Sequence, residues 1–403
     1  MVEKRVASRA LVPSFQVMDI LDRVAQLRAA GHYVVSLCAG EPSGGAPRGV
    51  NEAAAALHAS GKSLNYTPAF GISELREAIA GHYQRWYGTA VNPRNVAVTT
   101  GASGAFMLVF LAAFNAGDRV AMARPGYPAY RNILSALGIN VVEIPCDAST
   151  RFQPTPDLLD EAQAEHGRID GLILASPANP TGTMVSRAEL TDLVTWCDAN
   201  GARLISDEIY HGITYASADE PDAVGVSAVE LDPTAVVISS FSKFWGMPGW
   251  RLGWTVLPDD LIPGVEALSG NVALCAPAPA QFAAVSAFTS AAYEEGFAAV
   301  EEFARTRSML LEALPRLGWG DVAPADGAFY LYADLGPWVS VFGSSVEYCA
   351  ALLEEAFVAL TPGVDFDGEN GRRFVRLSFA AGFDAVSEAI TRIVAFQEQY
   401  AQS

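Results

Sequence analysis

The chain has 403 residues, of which 51% are hydrophobic and 18% are charged, and its formal net charge is −19. This composition excludes a disordered chain, and the acidic balance argues against a nucleic-acid or anionic-membrane surface. The length predicts two domains with a large buried core. Five scattered cysteines without a C-x-x-C pair predict reduced thiols in the cytoplasm and no disulfide framework or metal site.

The first 60 residues predict an arm, two helices and a short strand. Residues 1–14 lack apolar periodicity and a signal segment, whereas residues 15–30 place apolar side chains on one helical stripe. Residues 34–37 are predicted to form a strand, and residues 49–60 a second helix. Gly40 follows the strand, where the missing Cβ permits close approach of a ligand, although Gly-Glu-Pro is also typical of a simple turn.

Strands and helices alternate from about residue 96 to residue 240, which predicts a mostly parallel sheet with helices on both faces. Ligands of open α/β sheets bind beyond the carboxyl ends of the strands. The candidate side chains at or just after these ends are Ser103, Tyr127, Asn179, Asp207, Tyr210 and Lys243. Asp207 has a simpler explanation as a helix N-cap.

Residues 101–104, Gly-Ala-Ser-Gly, join a strand directly to an apolar helix. Backbone N–H groups at Ala102 and Ser103, with the helix dipole, would form a phosphate cradle to which Ser103 adds a hydroxyl. The spacing fits neither a dinucleotide fingerprint nor a P-loop. The same residues could also be only a tight connection.

The pattern beyond residue 257 is mainly helical. A long helix over about 290–314 is predicted to link the domains, followed by a helix over 345–359 and a closing helix over 384–400. Between them, alternation over 374–379 predicts a strand, on which Arg376 faces away from its apolar neighbours. A guanidinium binds a carboxylate bidentately, although a strand arginine usually faces solvent.

Lys243 stands out because the chain contains only three lysines, Lys4, Lys62 and Lys243. It follows an apolar run, residues 235–238, that predicts a strand buried on both faces. A desolvated lysine loses its proton readily and becomes a nucleophile toward a carbonyl. A lysine at a strand end can also simply extend its amine to solvent.

The segment around Lys243 carries a family resemblance. Ser-Phe-Ser-Lys over residues 240–243, followed by Met-Pro-Gly-Trp-Arg-Leu-Gly-Trp over 247–254, resembles the cofactor-lysine signature of class I/II aminotransferases. These are pyridoxal-phosphate enzymes of fold type I, in the aspartate aminotransferase superfamily. The resemblance extends over nearly the whole chain and includes Asn-Pro-x-Gly at residues 179–182.

The resemblance implies an α/β fold in two domains. A large cofactor-binding domain, expected over residues 48–295, would contain a mostly parallel seven-stranded sheet between helices. A smaller α+β domain would comprise residues 15–47 and 296–403, with residues 1–14 as an N-terminal arm.

The resemblance also implies a homodimer with shared active sites, because Tyr66 matches a tyrosine that reaches the cofactor phosphate of the neighbouring subunit. A loop tyrosine packed on its own domain is the alternative.

The resemblance further implies roles in transamination. Lys243 would hold pyridoxal 5'-phosphate as a Schiff base and move the substrate Cα proton, and Asp207 would keep the pyridine nitrogen protonated. Asn179 and Tyr210 would bond the phenolate oxygen, and an aromatic ring at Tyr127 would stack on the pyridine. The expected phosphate ligands are Ala102, Ser103, Ser240, Ser242, Arg251 and Tyr66, and the expected substrate ligands are Gly40, Asn179 and Arg376.

The substrate side chain is expected to be neutral, and apolar or branched, as in a valine–pyruvate aminotransferase. Dicarboxylate-specific relatives carry an arginine in the region corresponding to residues 268–276, and this chain has none there. Phe15 and Val17 are expected near the site. The amino acid and a 2-oxo acid would be the small-molecule partners, with no nucleic-acid or membrane partner.

Several alternatives share these motifs. An aspartate-type aminotransferase, a C–S β-lyase or a cyclopropane-forming synthase would retain every cofactor residue. A transcription regulator with an aminotransferase-like domain would carry an N-terminal helix-turn-helix, and the predicted catalytic domain begins almost at once. A catalytically inactive homologue would not be expected to keep the lysine, the acid, the asparagine and both arginines.

Overall fold

The computed structural model describes residues 5–215 and 222–401. Within these residues the α-helices are α1 Gln16–Ala29, α2 Arg48–Ala59, α3 Ser73–Tyr87, α4 Gly101–Ala113, α5 Pro128–Ala136, α6 Pro156–His166, α7 Arg187–Asn200, α8 Ile262–Val272, α9 Ala278–Ala284, α10 Ser290–Leu317, α11 Trp338–Phe342, α12 Ser345–Ala356 and α13 Phe383–Ala401. The strands are β1 Val35–Ser36, β2 Val96–Thr99, β3 Arg119–Arg124, β4 Asn140–Pro145, β5 Gly171–Ala175, β6 Arg203–Asp207, β7 Val236–Ser240, β8 Gly253–Val256, β9 Tyr330–Asp334, β10 Val358–Ala359, β11 Thr361–Pro362 and β12 Phe374–Ser378.

The central sheet has seven strands in the order β2-β8-β7-β6-β5-β3-β4. Strands β3 to β7 pair in parallel, and β8 runs antiparallel to β2 and β7. This confirms the predicted mostly parallel sheet. Strand β7 is buried along its whole length, because Val236 and Ile238 join the apolar cluster that includes α4, whereas Val237 joins the cluster on the opposite face.

Two small sheets are built from the chain's ends. Strands β9, β11 and β12 form an antiparallel sheet, and β1 pairs in parallel with β10. Helix α13 contacts α10, α12 and both strands of the β1–β10 pair. The N-terminal strand is therefore integrated with the C-terminal third of the chain. Arg376 lies on β12, the middle strand of the three-stranded sheet.

The helix predicted over residues 345–359 is too long by three residues. Helix α12 ends at Ala356 because Phe357 has a positive φ of 56°, which a right-handed helix does not accept. Val358 and Ala359 then pair with β1 as strand β10. The apolar pattern of these residues fits both a buried helix and a buried strand, so only the pairing with β1 distinguishes them.

The two ends of the central sheet differ in chemistry. At the amino ends, an open depression of about 970 Å³ is lined by charged residues of both signs, including Arg168, Asp170, Arg203 and Asp260. At the carboxyl ends, a more enclosed cavity contains most of the predicted site residues.

Among the described residues no helix has the length and apolarity to cross a bilayer, and no cluster of side chains is arranged to hold a metal ion.

Candidate active site

Lys243 lies just beyond β7, where the chain turns away from the buried sheet. Its Nζ donates a hydrogen bond of 2.5 Å to the carbonyl oxygen of Gly40 and lies 5.6 Å from the ring centre of Tyr210. Burial lowers the pKa of the Lys243 amine to about 8, and the positive charges of Arg376 and Arg251 also lower it. The amine is therefore deprotonated far more readily than a surface lysine.

Asp207 ends strand β6 and is buried. Its carboxylate accepts a hydrogen bond from the hydroxyl of Tyr130 and one of 3.1 Å from the backbone N–H of Ile209. Burial raises the pKa of Asp207 to about 6, and the two hydrogen bonds and the Lys243 amine oppose that rise. The group is a buried acid that a cation in the cavity would hold ionised.

Tyr127, Asn179 and Tyr210 lie around the same space. Tyr210 shares a 2.6 Å hydrogen bond with the hydroxyl of Tyr330, and the Asn179 side-chain oxygen accepts one of 3.0 Å from Arg376. Tyr127 precedes α5, and its ring lies edge-on to that of Tyr130 at 5.3 Å. Burial raises the pKa of both the Tyr127 and Tyr210 hydroxyls, so they remain protonated donors.

An anion cradle lies at the N-terminus of α4. Ser240 donates to the Ser242 hydroxyl at 2.7 Å and accepts the Ser242 backbone N–H at 2.9 Å. Gly101 has a φ of +69°, and a Cβ there would approach Nη2 of Arg251 to 2.7 Å. The lack of a side chain at Gly101 therefore lets the guanidinium lie against the first turn of α4, beside Ser103. A helix N-terminus, several hydroxyls and a guanidinium together fit a phosphate group.

Arg376 is buried on β12 rather than facing solvent. Its Nη1 donates to Asn179, and its Nη2 donates to the carbonyl oxygen of Cys38 at 2.6 Å. The guanidinium lies 4.6 Å from the ring centre of Tyr330 and 4.8 Å from that of Phe366. Its Nε has no hydrogen-bond partner among the described residues. A buried guanidinium with a free donor is suited to bind a carboxylate.

One cavity of about 430 Å³ unites these groups. The predicted site residues that line it are Gly40, Ala102, Ser103, Tyr127, Asn179, Asp207, Tyr210, Ser240, Ser242, Lys243, Arg251 and Arg376. Tyr66 is the exception, because its side chain is 81% exposed and lies outside the cavity of its own chain. The apolar side chains that line the cavity, termed its apolar wall, include Phe15, Val17, Leu21 and Ile133.

Sequence reasoning missed several groups in this cavity. Tyr130 contacts Asp207, Tyr330 contacts Tyr210, and Asp365 and Phe366 line the wall near Arg376. Tyr130 lies only three residues after Tyr127 and its ring contacts that of Tyr127, so its closeness in sequence gave a usable signal. Tyr330, Asp365 and Phe366 belong to distant segments, and their positions had no comparable local signal.

A partly buried lysine, a buried carboxylate in the same cavity and an anion cradle beyond the carboxyl ends of a mostly parallel sheet define a fold type I pyridoxal-phosphate enzyme. Comparison with known proteins specifies the family. The family model described as aminotransferase class I and II matches residues 33–393. The chain belongs to this family and is a pyridoxal-phosphate-dependent aminotransferase, which confirms the predicted fold, cofactor and reaction class.

Relatives match along nearly the full chain. The valine–pyruvate aminotransferase of Mycobacterium tuberculosis is 50% identical over 390 residues, covering 96% of this chain and 97% of the relative. The aspartate aminotransferase of Geobacillus stearothermophilus is 33% identical, with 98% of each chain covered. Among solved structures, an aminotransferase from Mycobacterium tuberculosis has a TM-score of 0.93 at 48% identity, covering 98% of this chain and 100% of that chain.

Proposed function

We propose that the protein moves an amino group between a neutral, apolar or branched L-amino acid, such as valine, and a 2-oxo acid such as pyruvate. The observation that carries this proposal is the apolar wall of Phe15, Val17, Leu21 and Ile133. The cavity's only arginines among the described residues are Arg251 in the anion cradle and Arg376, so neither is left for a second substrate carboxylate. The name of the Mycobacterium tuberculosis relative agrees with this assignment.

The cavity residues fit pyridoxal phosphate. In this proposal the cradle formed by Ala102, Ser103, Ser240, Ser242 and Arg251 holds the phosphate. Asp207 holds a proton on the ring nitrogen, because its carboxylate is the buried anion that a cationic ring would pair with. Asn179 and Tyr210 would donate to the phenolate oxygen, and Tyr127 would stack on the ring. When bound, the cofactor supplies an electron sink for the pair released at the substrate Cα.

The chain's own groups then bind the substrate and move its proton. Arg376 holds the α-carboxylate, with Asn179 bonded to the guanidinium and Gly40 in the same cavity lining. Lys243 would hold the cofactor covalently, and its free amine would take the proton from the substrate Cα as a general base. Its pKa of about 8 keeps a substantial fraction neutral near physiological pH, as a base requires.

We also propose a cytoplasmic homodimer in which the partner subunit's Tyr66 reaches the phosphate. Tyr66 is exposed in its own chain, and exposed apolar side chains at Leu11, Met18 and Val272 offer further surface for a partner. The five cysteines are free, as expected in a reducing compartment. In the proposed domain division, residues 48–295 form the large domain, residues 15–47 and 296–403 the small domain, and residues 1–14 the arm.

Substrate preference tests the proposed function. With pyruvate or 2-oxoglutarate as acceptor, kcat/KM for valine or leucine is expected to exceed that for aspartate by about 10²-fold or more, because an unpaired carboxylate against an apolar wall costs several kcal/mol. Steady-state kinetics over valine, leucine, alanine and aspartate measure this. A preference for aspartate would reject the proposal, and release of pyruvate and ammonia from cystathionine without an acceptor would indicate a lyase instead.

Replacing Arg376 with lysine is expected to raise KM for the amino acid about 10²-fold with a smaller change in kcat, because the planar fork between two rings is lost while the charge is kept. Arg373→Lys is the matched control, since Arg373 lies just before β12, is exposed and pairs with Asp334 at 2.7 Å. Steady-state kinetics on both variants measure the effect. Equal KM values for the two variants would argue against Arg376 as the carboxylate ligand.

A further inference from the structure

We propose that Asp365 is a positioning residue for side-chain recognition. Its carboxylate caps helix α1 and thereby holds Phe15 and Val17 as the wall against which a branched substrate side chain packs. The inference rests on the proposed function, because it takes the cavity as the site of a neutral amino acid. Asp365 acts through α1 and not by touching the substrate.

Helix α1 lacks a cap of its own. The residue at the N-cap position is Phe15, which has no side-chain acceptor for the first N–H groups of the helix. Asp365 supplies both acceptors, because its Oδ1 accepts the N–H of Gln16 at 2.8 Å and its Oδ2 accepts the N–H of Val17 at 3.0 Å. The negative charge also lies at the positive end of the helix dipole. Each carboxylate oxygen is thus engaged by one backbone N–H of α1.

The first turn of α1 depends on this contact because burial alone holds only its second half. Val24 and Leu27 are buried against residues that include Val34 and Leu353, whereas Phe15 and Val17 are only partly buried. Among the described residues, the polar contacts that tie residues 13–17 to the rest of the chain are the Asp365 bonds and one of 3.2 Å from Asn132 to the carbonyl oxygen of Pro13.

The segment that contains Asp365 is fixed in position beside the carboxylate-binding side of the cavity. Asp365 is 7% exposed, and its carbonyl oxygen accepts a bond of 3.4 Å from Arg131. The next residue, Phe366, accepts the N–H of Gly126 at 3.0 Å and places its ring against the Arg376 guanidinium. One short segment therefore connects the arginine proposed to hold the substrate carboxylate with the wall proposed to contact its side chain.

Loss of the cap should affect substrates according to their side chains. If Phe15 and Val17 move away, a branched side chain loses its packing partner, whereas the α-carboxylate still reaches Arg376. Discrimination by one or two methyl groups in an apolar pocket is limited to about 10- to 200-fold. The value of kcat/KM should therefore fall for valine but not for alanine, and the fall should come more from a higher KM than from a lower kcat.

The test uses the purified holoenzyme carrying Asp365→Asn or Asp365→Ala. We expect kcat/KM for valine to fall about tenfold in Asp365→Ala and less in Asp365→Asn, which keeps one acceptor, while the value for alanine changes by no more than about twofold. Hydrogen exchange should accelerate in the peptide covering residues 11–30. If Asp365→Ala does not fold, the double variant Asp365→Asn/Val17→Ala is compared with Val17→Ala. If Asp365 acts through Val17, the two should show the same loss in the preference for valine over alanine.

Asp367→Asn is the matched control, because Asp367 lies on the same segment, is 4% exposed and accepts backbone N–H groups of Glu369 and Asn370 rather than of α1. The Asp367→Asn variant should keep the wild-type ratio of kcat/KM for valine to kcat/KM for alanine. The inference would be overturned if the Asp365 variants lost kcat/KM equally for valine and alanine, or if Asp367→Asn changed the valine-to-alanine ratio to the same extent. Neither result would contradict the proposed function. A wild-type enzyme that prefers aspartate would contradict both the inference and the proposed function.

Discussion

Replacing Lys243 with alanine is expected to abolish transamination, lowering kcat by about 10⁴-fold or more, because both the covalent anchor and the general base are removed. Lys243 is the only lysine that lines the cavity among the described residues. Lys4 lies outside those residues, and Lys62 is exposed, with its amine 4.0 Å from the ring centre of Phe282. In the part of the chain that the structure describes, no second lysine is therefore in position to take over either task.

Single-turnover kinetics with valine measure the loss, and borohydride reduction followed by peptide mapping locates the cofactor-bearing residue. Lys62→Ala is the matched control, since it removes a surface amine of the same type and should retain wild-type activity. Far-ultraviolet circular dichroism checks that both variants are folded. A reduced label on any residue other than Lys243, or an active Lys243→Ala enzyme, would refute the assignment of Lys243 as the cofactor lysine.

Asp207→Asn is expected to lower kcat by about 10³-fold, because removing an opposite charge in contact can lower the pKa of its cationic partner by up to about three units. The change is nearly isosteric, and the remaining amide oxygen can still accept the N–H of Ile209. The variant therefore removes the charge while keeping the buried packing and Tyr130 beside it. The expected deficit is in the chemical step rather than in folding.

The neighbouring Glu208→Gln provides a sharp control. Glu208 is also buried, but it points to the Ser227 hydroxyl and the Ala228 N–H, each at 2.8 Å, and does not line the cavity. Burial raises its pKa to about 8, so a neutral glutamine resembles its protonated form. Stopped-flow rates of the first half-reaction should fall in Asp207→Asn and stay within a few-fold of wild type in Glu208→Gln. Similar losses in both variants would argue against a specific role for the Asp207 charge.

The sequence by itself determined the parts of the protein that depend on local pattern. Alternating strands and helices specify the mostly parallel sheet, because the apolar periodicity that marks each strand or helix is a property of neighbouring residues. Residues at the strand ends, such as Asp207 and Lys243, then had to meet at one edge, because parallel strands share the direction of their carboxyl ends. The residues of the class I/II motifs were therefore identifiable before any coordinate was known.

Only the tertiary structure decided the contacts between segments far apart in the chain. Asp365 caps α1 from 349 residues away, and Lys243 meets the backbone of Gly40 across 203 residues. Tyr130 reaches Asp207 across 77 residues. Such side-chain contacts depend on how helices and small sheets pack and on strand register, and differences of a few ångströms in that packing decide whether a hydrogen bond forms. No local periodicity records these contacts. Phe15 and Val17 were expected near the site from the sequence, but their support by Asp365 is visible only in the folded chain.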